Sequence, residues 1–422
     1  MRKRFMRMRV AVGVSVIAAS AMVGGFATGS AGASTPKLTA SAPGITKTTI
    51  KIGILSDETG PASSSFGGAA QAMEARFKQL NAEGGIDGRK IIWVAADATS
   101  SPTGAETAAQ NLVEIQGVFA IAELSSAFFG AAPFLSKQGV PVTGTGLDGS
   151  EWDEQPNTNL FSITGDGSVN GDAYDDGGFY KSIGVHKFTY VESNVPSAIS
   201  FGNGVYKTVE KDGLKACDKT IVPLGSVDFT AFALSFKADG CDTAECACVL
   251  SSSLAMATAL HQAGLSKAKI LFAAGPTQDI FQSKADEAAA KGAYFPGISS
   301  SPTYTNAASL AFLADLKKYD PAYQGGLPGN SESDGWPAAN LMVKGLEVAG
   351  TNPTRQSFIA GLRKVTNWTD SGLATGPISF AHFGQNPPTQ CFSYVQFNGT
   401  KYVPYPKSGK AFCGKQIPGT QS

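Results

Sequence analysis

Histidine is scarce in this chain of 422 residues, and the residue groupings that acid–base and nucleophilic catalysis need are missing. The three histidines, His186, His261 and His382, lie far apart, and none is beside an obvious nucleophile. No G-x-S-x-G elbow and no H-E-x-x-H pair occurs. The adjacent Asp175 and Asp176 fall in a glycine-rich segment that is typical of a solvated helix start. We therefore expect no enzymatic activity, no cofactor and no metal.

An excess of basic charge is also absent. Lys and Arg together number 34, and so do Asp and Glu. Five of the basic residues fall within positions 1–9, which leaves 29 (34 minus 5) basic residues against 34 acidic ones in the rest of the chain. No basic stripe with interleaved aromatic residues occurs, so a nucleic-acid partner is not expected.

The one long apolar run lies at the N-terminus and has the flanks of a secretory signal peptide. Basic residues precede an apolar stretch over residues 10–26, and the small-residue motif Ala31-Gly32-Ala33 follows. This order predicts that residues 1–33 are a signal peptide cleaved after Ala33. A membrane anchor is the alternative, but serines and glycines interrupt the stretch. We expect an exported protein, periplasmic or at the cell surface.

All six cysteines lie beyond the predicted cleavage site, and none is near it. A bacterial lipoprotein needs a cysteine there, so we expect that the protein is not a lipoprotein. An even number of cysteines in an oxidising compartment favours disulfides, whereas the cysteines within residues 241–248 match no standard zinc spacing. We predict a disulfide between Cys391 and Cys413, which bracket an apparent hairpin at residues 398–399. The pairing of Cys217, Cys241, Cys246 and Cys248 stays open.

Alternating strands and helices predict an α/β protein with two lobes. Residues 34–48 are rich in Ser, Thr, Ala and Pro and are expected to be a disordered leader. Apolar strands then alternate with amphipathic helices up to residue 143, and a second series of this kind begins near Lys187. Such alternation predicts parallel central sheets covered on both faces, and the 389 (422 minus 33) residues left after cleavage fit two Rossmann-like lobes.

The lobes are expected to be discontinuous in sequence. The chain becomes helix-rich again after residue 276, and its tail over residues 378–402 has an antiparallel pattern. We assign residues 49–163 and 277–376 to the N-terminal lobe and residues 164–276 and 377–422 to the C-terminal lobe. Several crossovers would then act as hinges between the lobes.

Loops at the carboxyl ends of the strands are the places where such sheets bind ligands. The relevant loops in the first series are residues 56–66, 123–126 and 144–150. Ser125 and Ser126 follow an apolar strand and precede a helix predicted from about Ser126, so unpaired backbone N–H groups and hydroxyls there would suit a carboxylate. The alternative is that one serine only caps the helix.

A dinucleotide site is not predicted at residues 144–149, although they fit G-x-G-x-x-G. That pattern requires a helix to start within it, and Trp152, Asp153, Gln155, Pro156 and Asn157 follow instead.

Several segments resemble the branched-chain amino acid ABC transporter substrate-binding proteins, which have the type I periplasmic-binding fold. The matching segments cover nearly all of residues 49–402, and they are Ile50-Lys51-Ile52-Gly53-Ile54-Leu55, Thr59-Gly60-Pro61, Asn81-Ala82-Glu83-Gly84-Gly85-Ile86-Asp87-Gly88-Arg89-Lys90-Ile91, Gly139-Val140-Pro141-Val142, the helix of residues 339–350 and Thr375-Gly376-Pro377-Ile378-Ser379-Phe380.

The resemblance implies that a small ligand binds between the lobes. Hydroxyls and backbone N–H groups at Ser125 and Ser126 would hold a ligand carboxylate, the segment Gly146-Leu147-Asp148 would lie beside it, and Phe201 would cover it. Phe66, Ser253 and Trp336 complete the candidate ligand-binding residues.

The sequence departs from that family after the second-lobe strand predicted to end at Leu250. Amino acid receptors commonly place a carboxylate there to hold the ligand's ammonium group, but residues 251–253 are serines. Either the ligand lacks an amine, or Asp148 takes over this role. The alternative for Asp148 is an exposed turn residue.

The function that the resemblance implies is capture of a small polar solute, such as an amino acid-like molecule, an amide or an organic acid, for an ABC importer. The partners would be the solute and the membrane permease, and the protein is expected to be a monomer. A ligand sensor on the same scaffold is the first alternative, and an exported hydrolase is the second.

Overall fold

The computed structural model describes residues 37–165, 173–297, 305–374, 376–385 and 389–417. The predicted signal peptide of residues 1–33 lies outside the described residues. From Leu38 onward the described residues belong to one unit that contains two β-sheets.

The first lobe is built on a five-stranded parallel sheet in the order β2-β1-β3-β4-β5. Its strands are β1 (Thr49–Ser56), β2 (Lys90–Asp97), β3 (Ala120–Leu124), β4 (Val142–Gly144) and β5 (Leu160–Ser162). The connecting helices are α1 (Ser63–Phe66), α2 (Ala69–Ala82), α3 (Pro102–Gln110) and α4 (Ala132–Lys137). A π-helical turn at Asn111–Ile115 and 3-10 turns at Phe128–Gly130 and Ser150–Trp152 supplement them. The sequence predicts this alternation correctly, since Met73, Phe77 and Leu80 recur at helical spacing and are buried in α2.

The second lobe is built on a nine-stranded sheet, in which β13-β12-β11-β10-β9-β6-β7 are adjacent, β8 pairs with β6 and β14 pairs with β12. Its strands are β6 (Lys187–Ser193), β7 (Lys215–Ala216), β8 (Thr220–Val222), β9 (Thr243–Ala247), β10 (Lys269–Phe272), β11 (Tyr294–Gly297), β12 (Thr389–Phe397), β13 (Tyr402–Tyr405) and β14 (Phe412–Lys415). Its helices are α5 (Phe179–Ser182), α6 (Pro196–Lys211), α7 (Thr230–Asp239), α8 (Leu250–Gln262) and α9 (Lys284–Ala290), with a 3-10 turn at Gln278–Phe281. β12 runs antiparallel to β11, β13 and β14, as the antiparallel pattern of the tail predicts.

Three later helices return to the first lobe. They are α10 (Ala307–Tyr319), α11 (Asn330–Ala349) and α12 (Arg355–Leu362), followed by a 3-10 turn at Asp370–Gly372. Leu341 and Met342 of α11 pack with Phe77 of α2 against the sheet, and Phe358 of α12 joins the same core. The two α/β lobes, between which the chain passes more than once, confirm the predicted fold class.

The lobe boundaries differ from those assigned from the sequence. Ile280 and Ala290 are buried in the core of the second lobe, and β11 belongs to its sheet, so residues 277–297 are not part of the first lobe. Phe380 lies in the core of the first lobe, with its ring centroid 6.0 Å from that of Phe161. The chain therefore returns to the first lobe after residue 297 and leaves it after residue 380, because burial of apolar side chains decides which core each segment joins.

The prediction of a disordered leader is wrong for residues 38–48. Ile45 is buried in the core of the first lobe and pairs with Ile50 in an isolated bridge. The buried guanidinium of Arg89 donates hydrogen bonds to the carbonyl oxygens of Thr39 and Thr46 at 3.1 and 2.7 Å. The polar composition of the leader gave no sign of this contact, because the contact depends on an arginine distant in sequence that binds backbone oxygens of the leader.

Three disulfides are present, and they account for all six cysteines. Cys391 and Cys413, the pair predicted from the sequence, join neighbouring residues of β12 and β14. The pairs that the sequence left open are Cys217 with Cys241 and Cys246 with Cys248. Within the described part of the chain, no helix is both long and apolar enough to cross a membrane.

Candidate functional site

A cavity of about 230 Å³ lies between the two lobes, at the carboxyl ends of their parallel strands. The first lobe lines it with the residues that follow β3 and β4 and with the start of α11. The second lobe contributes the ends of β6, β9, β10 and β11, together with the first turns of α6. A single buried water needs only about 10–15 Å³, so the cavity can hold an organic molecule.

Six of the nine candidate ligand-binding residues lie on the wall of this cavity. They are Phe66, Ser125, Ser126, Leu147, Asp148 and Phe201. The first five come from the first lobe and Phe201 comes from α6 in the second lobe, so the structure brings together residues that the sequence places far apart.

The other three candidates do not line the cavity. Gly146 has a φ of 65° and faces Ser162 and Trp152 behind the loop. Ser253 is fully buried inside α8, where its backbone N–H bonds to the carbonyl oxygen of Val249. Trp336 is buried in α11, with its ring centroid 5.4 Å from that of Phe312. The sequence misplaced Ser253 because β9 ends at Ala247 and α8 has already begun at Leu250.

The donors predicted to hold a ligand carboxylate are used by Asp57. Its buried carboxylate accepts hydrogen bonds from the hydroxyl of Ser125 (2.8 Å), from the hydroxyl and backbone N–H of Ser126 (2.6 and 2.8 Å) and from the backbone N–H of Ser100 (3.1 Å). The predicted helix also does not begin at Ser126, since a 3-10 turn starts at Phe128 and α4 starts at Ala132. The expectation that these serines grip an external carboxylate is therefore corrected, because the chain's own Asp57 takes that place.

Further buried carboxyl groups lie beneath the first-lobe side of the cavity. Glu123 accepts hydrogen bonds from the backbone N–H groups of Ser125 and Thr145, both at 3.0 Å. Burial, reinforced by the nearby Asp148, holds the pKa of Glu123 well above its ordinary value. Burial together with Asp148 likewise raises the pKa of Glu151 to about 10. Glu151 is therefore protonated at neutral pH.

Asp148 is not the exposed turn residue of the alternative interpretation. It is 2% exposed and accepts hydrogen bonds from the indole N–H of Trp152 at 2.8 Å and the backbone N–H of Phe129 at 2.6 Å. Burial raises the pKa of Asp148 to about 6, so the carboxylate is mostly ionised at pH 7. Asp148 lines the cavity, but groups of its own lobe already donate hydrogen bonds to both of its carboxyl oxygens.

Ser193 is a polar residue of the second-lobe wall that the sequence analysis missed. It ends β6, it is buried, and its hydroxyl has no hydrogen-bond partner within the described structure. A buried hydroxyl without a partner costs free energy, so a ligand that binds it gains relative to the empty site. The position could have been found from the sequence, because the rule that selects carboxyl ends of strands applies equally to the second lobe.

The rest of the described lining is mostly apolar and carries no positive side chain. Leu124, Val195, Leu224, Val249 and Phe392 add to the aromatic rings of Phe66 and Phe201. Asp148 and Asp334 line the cavity, whereas no Lys, Arg or His does so among the described residues. Cys248 is also part of the wall, and its disulfide to Cys246 ties it to β9. No group of metal-binding side chains occurs in the described ranges.

Direct contacts join the lobes beside the cavity. The backbone N–H of Leu250, at the start of α8, donates to the hydroxyl of Ser65 in α1 at 2.9 Å. The hydroxyls of Ser64 and Ser251 lie 3.2 Å apart. The lobes therefore meet through small polar groups that water could replace if the cleft opened.

Two similar α/β lobes around a cleft of this kind define a bilobal ligand-binding protein. Residues 49–401 match the family model described as periplasmic binding protein, and the chain belongs to that family. A comparison with curated protein sequences finds no match.

Three solved structures illustrate the similarity of fold. A fatty acid ABC transporter substrate-binding protein from Thermomonospora curvata is 18% identical with a TM-score of 0.70, and the match covers 91% of this chain and 95% of that chain. An ABC transporter solute-binding protein from R. palustris in complex with benzoate is 17% identical with a TM-score of 0.69, with 87% and 97% covered. A branched chain amino acid ABC transporter protein from Thermus thermophilus with bound valine is 16% identical with a TM-score of 0.70, with 84% and 95% covered.

Proposed function

We propose that the protein is the extracytoplasmic solute-binding component of an ABC importer and that it captures a small organic molecule in the cavity between its lobes. The observation that carries the proposal is the position of the cavity, which is walled by the carboxyl ends of strands from both sheets. A ligand there touches both lobes at once, so its binding energy favours the closed form over the open form.

The solute of this proposal has a substantial apolar part. Phe66, Leu147 and Phe201 provide apolar contact, while Ser193 and Asp148 offer polar contacts at the two sides of the cleft. Of the similar solved structures described above, one belongs to a fatty acid ABC transporter and two hold benzoate and valine, and these molecules also combine an apolar part with a small polar group. Binding without chemical change suffices for this role.

Export and the permease complete the proposal. The predicted signal peptide of residues 1–33 would place the protein outside the cytoplasmic membrane, where a membrane permease receives the solute from the closed form. The lobes would open and close by rotation about the segments that connect them.

A thermal-shift screen of the purified protein against amino acids, organic acids, amides and amines tests the proposal. A ligand present at one hundred times its dissociation constant stabilises the folded protein by about 2.7 kcal/mol, which gives a clear rise in melting temperature. Ala274→Phe introduces a ring at the cavity wall and should abolish the shift, whereas Ala231→Phe on the exposed face of α7 should preserve it. Failure of every compound, or equal shifts in both variants, would contradict the proposal.

A further inference from the structure

A second cavity of about 100 Å³ adjoins the first and lies inside the second lobe, between α6 and the sheet. The two cavities share five lining residues, which are Phe201, Ala273, Pro296, Gln390 and Phe392. We call the larger space the main cavity and the smaller one the side chamber. The same side chains border both spaces, so a ligand that reaches from the main cavity into the side chamber must pass Phe201 and Phe392.

Glu245 of β9 forms the polar part of the side chamber. It is 8% exposed, and one carboxyl oxygen accepts a hydrogen bond from the hydroxyl of Tyr180 at 2.8 Å. The other oxygen accepts no hydrogen bond in the described part of the chain. Tyr394 also borders the chamber. A buried carboxyl group with an unused oxygen, placed on the wall of a cavity, suits a hydrogen-bond donor on a ligand.

The charges around both spaces indicate that the ligand group that donates to Glu245 is positively charged. The ionisable side chains of the side chamber are Asp175, Asp176 and Glu245 together with three tyrosines, and none of its described lining residues is Lys, Arg or His. Lys211 pairs with Asp175 at 2.9 Å, but it does not line the chamber. The ionisable side chains that line the main cavity, Asp148 and Asp334, are also acidic. Among the described residues, no Lys, Arg or His that lines either space compensates Asp176 or Glu245. A ligand cation would therefore stabilise the ionised forms of these two carboxyl groups, whereas a ligand carboxylate would be repelled by them.

We propose that the side chamber is a subsite for a primary ammonium group, bound by Glu245, of a solute whose apolar part lies in the main cavity. This inference rests on the proposed function and gives its substrate class as amphipathic amines.

Calorimetric titration of the purified protein with three matched compounds tests the subsite. The probes are 4-phenylbutylamine, the neutral 4-phenylbutanol and the anionic 4-phenylbutyrate, which share one apolar part. We expect the amine to bind at least tenfold more tightly than the acid. Glu245→Gln keeps the size of the side chain and removes its charge, so amine affinity should fall at least tenfold while alcohol affinity changes less than threefold.

A buried glutamate outside both spaces provides the matched control. Glu192 of β6 is buried, pairs with Lys219 and lines neither cavity, so Glu192→Gln should leave the amine affinity unchanged. Tighter binding of the acid, equal loss in both variants, an unaffected Glu245→Gln protein or no binding of the amine overturns the subsite. The proposed function is judged separately, because an acid or neutral ligand that Ala274→Phe excludes would sustain solute capture and still refute the ammonium subsite.

Discussion

At the scale of single residues, Asp57 sets the chemistry of the first-lobe wall. It follows β1 directly, and its carboxylate draws together Ser100, Ser125 and Ser126 from two other strand ends. The hydroxyl hydrogens of the two serines point to this internal acceptor and are not free for a ligand. We therefore expect this wall to bind a solute anion weakly. Recognition of the solute then depends mainly on apolar contacts and on the second lobe.

Asp57→Asn is expected to lower the free energy of unfolding by about 2–4 kcal/mol, because the new amide N–H groups face buried donors that lose a carboxylate oxygen as acceptor. Urea denaturation measures this change. Asp87→Asn is the control, since Asp87 is exposed at a positive φ that asparagine tolerates, and it should change stability by less than about 0.5 kcal/mol. Equal stability of the two variants would show that the Asp57 network contributes little.

Glu245 should make stability depend on pH. Burial raises the pKa of Glu245 to about 7 in the folded protein, above the ordinary value that it regains on unfolding. Between about pH 4 and pH 7 the folded state holds a proton that the unfolded state has lost, so stability falls as pH rises through this range. The stability of Glu245→Gln relative to the unsubstituted protein should therefore increase from pH 5 to pH 8, by up to about 3 kcal/mol.

Urea denaturation of both proteins at several pH values measures that difference. Glu210→Gln, which removes an exposed carboxyl group near the end of α6, is the control for the loss of one carboxyl group. A difference that stays constant from pH 5 to pH 8 would mean that Glu245 titrates normally in the folded state.

Many residues of the site could be located from the sequence, but the contacts between residues of different loops could not. The rule that ligands bind at carboxyl ends of parallel strands selected Ser125, Ser126 and Asp148 correctly as cavity residues. The same rule gives no distance between loops, so it did not show that Asp57 reaches Ser126. Glu245 was also missed, because a carboxylate inside a strand shows its environment only once helix α6 is packed over it.

At the scale of secondary structure elements, α1 and α8 form a contact that holds the lobes together. Ser65→Ala removes the acceptor for the backbone N–H of Leu250, a group buried in the closed arrangement. The lost hydrogen bond is worth about 1 kcal/mol, so ligand affinity should fall about fivefold. Titration with the ligand found by screening measures this loss. Ser63→Ala, which affects only a bond to Gly60 within the same lobe, should bind like the unsubstituted protein, and equal affinities in all three proteins would contradict a role of this contact in closure.

The disulfide between β12 and β14 is expected to stabilise the edge of the second lobe. Cys391 lies between Gln390 and Phe392, which line both the main cavity and the side chamber. The disulfide spans a sequence separation of 22 residues, for which loop entropy gives about 3 kcal/mol. The double variant Cys391→Ser, Cys413→Ser should unfold at correspondingly lower urea concentration. An unchanged midpoint would mean that the sheet alone holds β12 in place.

Elements with a strong period were predicted well, and short elements near the site were not. Helix α2 was evident from the spacing of Met73, Phe77 and Leu80. The segment around Leu250 was interpreted as the end of a strand, whereas it begins α8. A short apolar run does not distinguish a strand end from a helix start, because tertiary packing decides between them.

At the scale of the whole molecule, the strand ends of two separate sheets line a cleft that neither lobe could form alone. The sequence predicts two discontinuous α/β lobes, but it places the return to the first lobe at residue 277 instead of after β11. Antiparallel β12 explains the error, since a strand from the tail of the chain pairs with β11 and completes the second sheet. Pairing between such distant segments is not encoded in local periodicity.

The crystal structure of the complex with the ligand found by screening is the most direct test of solute capture between the lobes. The account predicts that the ligand fills the main cavity, with its apolar part against Phe66, Leu147 and Phe201 and with contacts to both lobes. A ligand bound on the outer surface of one lobe, with the main cavity filled only by water, would contradict it.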